Sequence, residues 1–303
     1  MRWQGRRQST NIRDVSGSGG GFGGGFGRGP SGGYAGRGGP FVLRRGGGGI
    51  GVIIVVLIIA WLMGINPLQL LSGEIPGSTS TQQQTGARTG VSTEMRDFVA
   101  TVLADTEDTW TGIFKEAGQD YPEPTLTLFS GTVDSACGYA SAATGPFYCP
   151  ADRNLYIDLS FYDDLRSRFG APGDFAQAYV LAHEVGHHVQ NVIGILPKVH
   201  ERQQSMSQTE GNALSVRTEL QADCFAGIWA NKTERQGYLE AGDIDEALTA
   251  AAAVGDDTLQ KAGQGYVVPD SFTHGSAEQR AEWFRRGYEK GSMDSCDTFS
   301  GEI

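Results

Sequence analysis

The run His183-Glu184-Val185-Gly186-His187 sets two imidazoles and a carboxylate within one helical turn and a half. It lies inside an apolar pattern that predicts a helix from Gly173 to Ile195. At about 100° per residue, His187 falls about 40° from His183, one turn further along. Both rings then reach one point beside the helix. Glu184 lies about 60° beyond His187, near that point but off it. Two neutral nitrogens so placed can bind Zn²⁺, while the carboxylate is kept for a water molecule. His188 sits roughly 140° around from His183 and is not expected to share the point. The bland alternative is two structural histidines and a surface Glu. The chain has only five histidines, which makes a chance match to this pattern rare.

Zinc needs a third protein ligand and an open fourth position. In the longer pattern with a third His downstream, that His would fall on Ile193 and a required Gly on Gln190, so this pattern is excluded. Glu219-Leu220-Gln221-Ala222-Asp223 supplies a candidate in a second helical pattern. Glu219 and Asp223 share one face, which Ala226 and Ala230 continue and Gly227 flanks. Small side chains there would let this helix approach the first until Glu219 reaches the metal. Asp223, one turn deeper, could accept the N–H of the far nitrogen of His183 and fix its tautomer. Alone, the two acids would read as a solvated helix face.

His274 stands in Phe272-Thr273-His274-Gly275-Ser276, far from the motif along the chain. It could donate a hydrogen bond to the oxyanion of a reaction at the metal. It could equally neighbour the cap of a helix that begins near Ser276, and merely be exposed.

The elements that must carry these residues read as helix, strands, then helices, which argues an α+β fold. A helical pattern starts near Thr93. Thr125–Phe129, Phe147–Cys149 and Leu155–Leu159 are strand candidates, the last two joined by a turn at Pro150 and Asp152-Arg153-Asn154 into a hairpin. A small antiparallel sheet is expected, with Leu155–Leu159 as an edge to which an extended peptide could add. Four cysteines allow three pairings. Cys137–Cys149 with Cys224–Cys296 is favoured, because the first pair closes a short loop.

Charge and glycine are unevenly spread. Residues 1–72 hold eight Arg and one acid, Asp14; the other 16 bases and 34 acids follow, so the body carries −18. Such an acidic body repels phosphate, and no nucleic-acid partner is expected. Nineteen of the 45 glycines fall in the first 50 residues. Residues 1–48 therefore read as a disordered Gly/Arg-rich tail, a sparse RNA-binding segment being the alternative. No charge occurs between Arg45 and Glu74, and residues 49–71 read as a transmembrane helix. Residues 72–92 read as a flexible linker and 93–303 as the chemical domain. With all eight Arg before the span, the tail is expected in the cytoplasm and the domain outside the membrane, where disulfides form.

HEVGHH (183–188) with ELQADCFAG (219–227) resembles the Glu-ligand zinc peptidases. The whole chain is similar to the bacterial predicted neutral zinc metallopeptidases, through its opening MRWQGRRQSTNIRD, SACGYA (135–140), GPFYCPADRNLYID (145–158) and THGSAEQR (273–280). The resemblance implies a zincin-like domain behind one transmembrane helix, anchored in the bacterial inner membrane, with a periplasmic or extracellular active site. It implies one zinc per chain, a peptide or protein substrate, His183, His187 and Glu219 as ligands and Glu184 as the base. A non-catalytic zinc module that binds peptides or organises an envelope complex is the alternative; an intact Glu184 speaks against it.

Overall fold

The computed structural model describes residues 1–16 and 92–303. The transmembrane expectation over 49–71, the linker up to residue 91 and most of the Gly-rich tail lie outside the described residues. Among the described residues no helix is long and apolar enough to cross a membrane.

A four-stranded sheet has the order β1-β2-β6-β5, with β1 Ile12–Asp14, β2 Thr125–Phe129, β5 Phe147–Cys149 and β6 Asn154–Asp158. It is mixed, not antiparallel as expected: β1 and β6 both run parallel to β2, and only β5 is antiparallel, to β6. The reason is the connection after β2. It holds a separate hairpin, β3 Thr132–Ser135 with β4 Gly138–Ser141, and then edge strand β5. The chain thus returns to lay β6 beside β2 in the same sense. β6 is consequently an inner strand, and the expected edge at Leu155–Leu159 is corrected to β5. Both β2 and β6 are buried on both faces over most of their length, as central strands are. The predicted β5–β6 hairpin is present, with Arg153 in its turn at φ 58°.

The first residues of the chain are not a disordered tail. Met1 is buried and β1 pairs Ile12 with Leu126, so residues 1–16 belong to the folded unit together with the body. Four of the eight arginines counted toward a cytoplasmic tail, Arg2, Arg6, Arg7 and Arg13, lie in this stretch.

Eight α-helices are described: α1 Thr93–Glu116, α2 Ser160–Ser167, α3 Asp174–Val192, α4 Ile195–Gln203, α5 Gln208–Arg235, α6 Asp243–Ala253, α7 Asp256–Gln264 and α8 Ala277–Lys290. Capping fixes the starts that matter. The Ser92 hydroxyl accepts from Met95 N, and Ser207 with Glu210 and Ser276 with Gln279 form reciprocal capping boxes. The disulfides are Cys137–Cys149 and Cys224–Cys296, the favoured pairing. The second ties α5 to the chain beyond α8. Disulfides suggest a non-cytoplasmic domain.

Helix α5 lies against α3 on one side and α8 on the other. Glycines set both distances. A Cβ on Gly186, inside the His motif, would stand 2.9 Å from the carbonyl oxygen of Ala222. A Cβ on Gly287 would run into the Cys224 carbonyl, and one on Gly227 into that of Phe284. Gly227 therefore serves the α5–α8 contact, and the close approach of α5 to the His helix is made by Gly186 against Ala222. Gly186→Val is expected to force α3 and α5 apart, at about 1–3 kcal/mol of overpacking. Because Glu219 rides on α5, zinc affinity should fall roughly tenfold or more, as for other groups that position ligands. Competition titration with a chromogenic chelator checks this; an unchanged affinity would mean that the spacing does not set the site.

Candidate metal centre

The i, i+4 spacing on α3 puts the His183 and His187 rings 4.8 Å apart and nearly perpendicular. Glu219 reaches across from α5: its Oε2 is 3.2 Å from His183 Nε2 and its Oε1 3.5 Å from His187 Nε2. One donor atom of each residue lies within 4.8 Å of the others. Two imidazole nitrogens and one carboxylate form a donor set suited to zinc, with no fourth protein ligand among the described residues.

The far side of each ring is held. His183 Nδ1 donates to Asp223 Oδ1 at 2.7 Å, and His187 Nδ1 to Gln190 Oε1 at 2.9 Å. The Gln190 amide is itself fixed, since its Nε2 donates to the Thr218 carbonyl and to Gln221 Oε1. With both Nδ1 atoms engaged, each Nε2 faces Glu219: without a metal it donates to that carboxylate, and it is the ring atom that would be given up to a metal.

Asp223 is fully buried and does not stand alone. Arg280, from α8, grips it with two donors, Nε to Oδ2 at 2.8 Å and Nη2 to Oδ1 at 3.0 Å. The Tyr179 hydroxyl, one turn before His183, donates to the same Oδ1 at 2.5 Å and accepts from Arg280 Nη2 at 3.2 Å. Burial alone would raise the Asp223 pKa; Arg280 and His183 overcome it and hold the carboxyl down at about 2. Arg280, Tyr179 and Gln190 were not assigned roles from the sequence. For Arg280 a signal existed: it shares the buried stripe of α8 with Trp283, Phe284 and Gly287, where an unpaired cation would be costly.

Glu184 is buried beside the cluster, and among the described residues no hydrogen bond ties up its carboxylate. Burial raises its pKa, against the opposing pull of His187 and His183. Glu219 behaves oppositely: burial would raise it, but His187 and His183 hold it well below the carboxylate range. Two carboxylates in one site are thus driven apart, one toward holding a proton and one toward staying charged. The Tyr162 hydroxyl is buried with no hydrogen-bond partner among the described residues and feels the Glu184 charge.

His274 comes to the same neighbourhood, near enough to Glu219 for their charges to interact. Its loop is wound around Asp256, the first residue of α7. Asp256 Oδ2 accepts the backbone N–H groups of Thr273, His274 and Gly275, and Oδ1 lies 3.2 Å from His274 Nδ1. Nδ1 is thus held, and Nε2 makes no hydrogen bond among the described residues. The cap of α8 is made by Ser276, whose hydroxyl accepts from Gln279 N. His188 points elsewhere, as its angle implied. It is buried, its Nε2 donates to the Pro122 carbonyl at 2.6 Å, and its Nδ1 accepts from the Tyr148 hydroxyl at 3.1 Å. Burial lowers its pKa to about 4, so it stays neutral. It links the His helix to edge strand β5.

The family described as "Putative neutral zinc metallopeptidase" matches residues 1–299. The chain belongs to that family. It is 48% identical over 304 residues to YpfJ of Escherichia coli (strain K12), covering 100% of both chains. It is also 42% identical over 260 residues to Rv2575 of Mycobacterium tuberculosis, covering 80% of this chain and 85% of that one. No solved structure matches the chain. The family match runs through residues 1–16 as well as the body, in keeping with their shared fold.

Proposed function

We propose that the protein is a zincin-like peptidase that hydrolyses peptide bonds in peptide or protein substrates, using one zinc ion held by His183, His187 and Glu219. The observation that carries this reading is the convergence of those three donor atoms beside a buried Glu184 whose carboxylate makes no hydrogen bond among the described residues. Bound there, zinc would acidify a water molecule and polarise the scissile carbonyl. The chain's own residues do the rest. Asp223 and Gln190 hold the two imidazoles so that Nε2 faces the ion. Glu184 accepts the proton of the attacking water and passes it to the leaving amine. Its raised pKa lets it hold that proton between the two events. The apolar run at 49–71 is the segment that would hold the domain at a membrane.

His274 acts as a donor to the oxyanion, with Asp256 setting its orientation. His274→Ala should lower kcat by roughly 10²-fold, the size expected for one lost oxyanion donor, while zinc content and Tm barely move. Turnover equal to wild type removes the catalytic role; lost zinc would instead make His274 a ligand and demote Glu219. The reading as a whole is tested by peptide cleavage and metal content of the purified chain with and without a chelator.

A further inference from the structure

The first 16 residues are fastened to the body along their whole length. The Met1 α-ammonium is buried, 2.7 Å from Asp174 and 3.3 Å from Asp243. Asp174 is the first residue of α3, the His helix, so the strap ends on the element that carries the metal ligands. Those two acids and Glu246 could otherwise be mistaken for a second cation site; the ammonium is their cation. Trp3 packs edge-on against Phe98 of α1, with ring centroids 5.6 Å apart. Arg6 pairs with Asp105, which also accepts from the Trp229 indole and the Thr233 hydroxyl of α5. Arg7 pairs with Glu107 at 3.0 Å and Asp108 at 2.9 Å. Ser9 N donates to the Ala100 carbonyl at 2.9 Å. β1 then closes one edge of the sheet against β2.

Two consequences follow. Arg6 and Arg7 are the countercharges of acids on α1, and Asp105 is fully buried. A buried carboxylate deprived of its cation is strongly destabilising, so these arginines are explained by the fold and give no signal of a cytoplasmic tail. Second, a strand and a buried anchor cannot be shared across a bilayer. One crossing between residues 16 and 92 would put the strap and the domain on opposite sides, and the packing above could not form.

We propose that residues 1–16 are a structural strap of the metal-site domain and lie on the same side of the membrane as residues 93–303. This replaces the expected topology of a cytoplasmic start with an exported body. Because the domain carries two disulfides, the strap belongs in the same oxidising compartment. The inference rests on packing and not on the peptidase reading, and stands or falls separately from it.

All four cysteines are in disulfides, so single thiols can be introduced cleanly at exposed positions. Gln8→Cys on the strap and Lys198→Cys on the body are made separately in the full chain in cells. A membrane-impermeant maleimide is applied to spheroplasts before and after permeabilisation. The expected result is the same accessibility at both positions, both labelled in the intact spheroplasts. Both protected would also place the two on one side, and would overturn the oxidising compartment alone. Labelling of Lys198→Cys before permeabilisation and of Gln8→Cys only afterwards, or the reverse, would overturn the proposal. Impaired folding is checked by the purified proteins: both variants should keep the wild-type Tm, since neither side chain is buried.

Discussion

Glu184→Gln is expected to leave zinc bound at wild-type stoichiometry and to lower kcat by roughly 10²–10⁴-fold, the range for loss of a general acid–base group. The amide keeps the shape of the side chain and cannot accept the proton. His183→Ala, His187→Ala and Glu219→Ala should behave differently, each lowering zinc occupancy along with activity. The separation follows from geometry. Glu219 lies 3.2 and 3.5 Å from the two Nε2 atoms, whereas Glu184 is buried beside the group and makes no hydrogen bond to it among the described residues. Metal analysis and steady-state kinetics on the same samples decide it. An empty site in Glu184→Gln together with a filled site in Glu219→Ala would exchange the two roles.

The second large effect is expected at Arg280. Arg280→Met leaves Asp223 fully buried with its two-point partner gone. Breaking a buried pair in this way costs about 3–5 kcal/mol. The Asp223 pKa should rise from its depressed value, weakening its hold on His183 Nδ1, so zinc affinity should drop about 10–100-fold. Arg280→Lys restores the charge but not the fork, and should recover only part of both losses. Denaturant titration of the chelator-treated protein reads the stability term without zinc, and competition titration reads the affinity. Wild-type values in both would show that Arg280 packs against the site without supporting it.

Much of the site was legible because helical spacing is local. The His183/His187 pair, the bystander angle of His188 and the shared face of Glu219 and Asp223 all follow from residues a turn apart. Gly186 is equally local, but its use depends on which helix lies opposite. Its partner Ala222 could be known only from the packing, and the small-residue argument accordingly fell on Ala226, Ala230 and the flanking Gly227, of which Gly227 faces α8. Arg280 and Asp256 reach the site from elements distant in sequence, and no periodicity links them to it. The sheet was misjudged for a related reason: strand sense depends on how the chain returns after β2. The strap was hidden by composition. Residues 1–16 run directly into a Gly-rich stretch, and their arginines look like a charge signal until Asp105, Glu107 and Asp108 are seen opposite them.

The most direct test is cleavage of an unstructured protein such as casein by the purified full-length chain, before and after chelator treatment and after zinc is returned. The account predicts cleavage that disappears with the metal, returns with zinc and is absent at every stage in Glu184→Gln. Full zinc occupancy with no cleavage of unstructured protein or mixed peptides, or cleavage indifferent to the chelator, would contradict it.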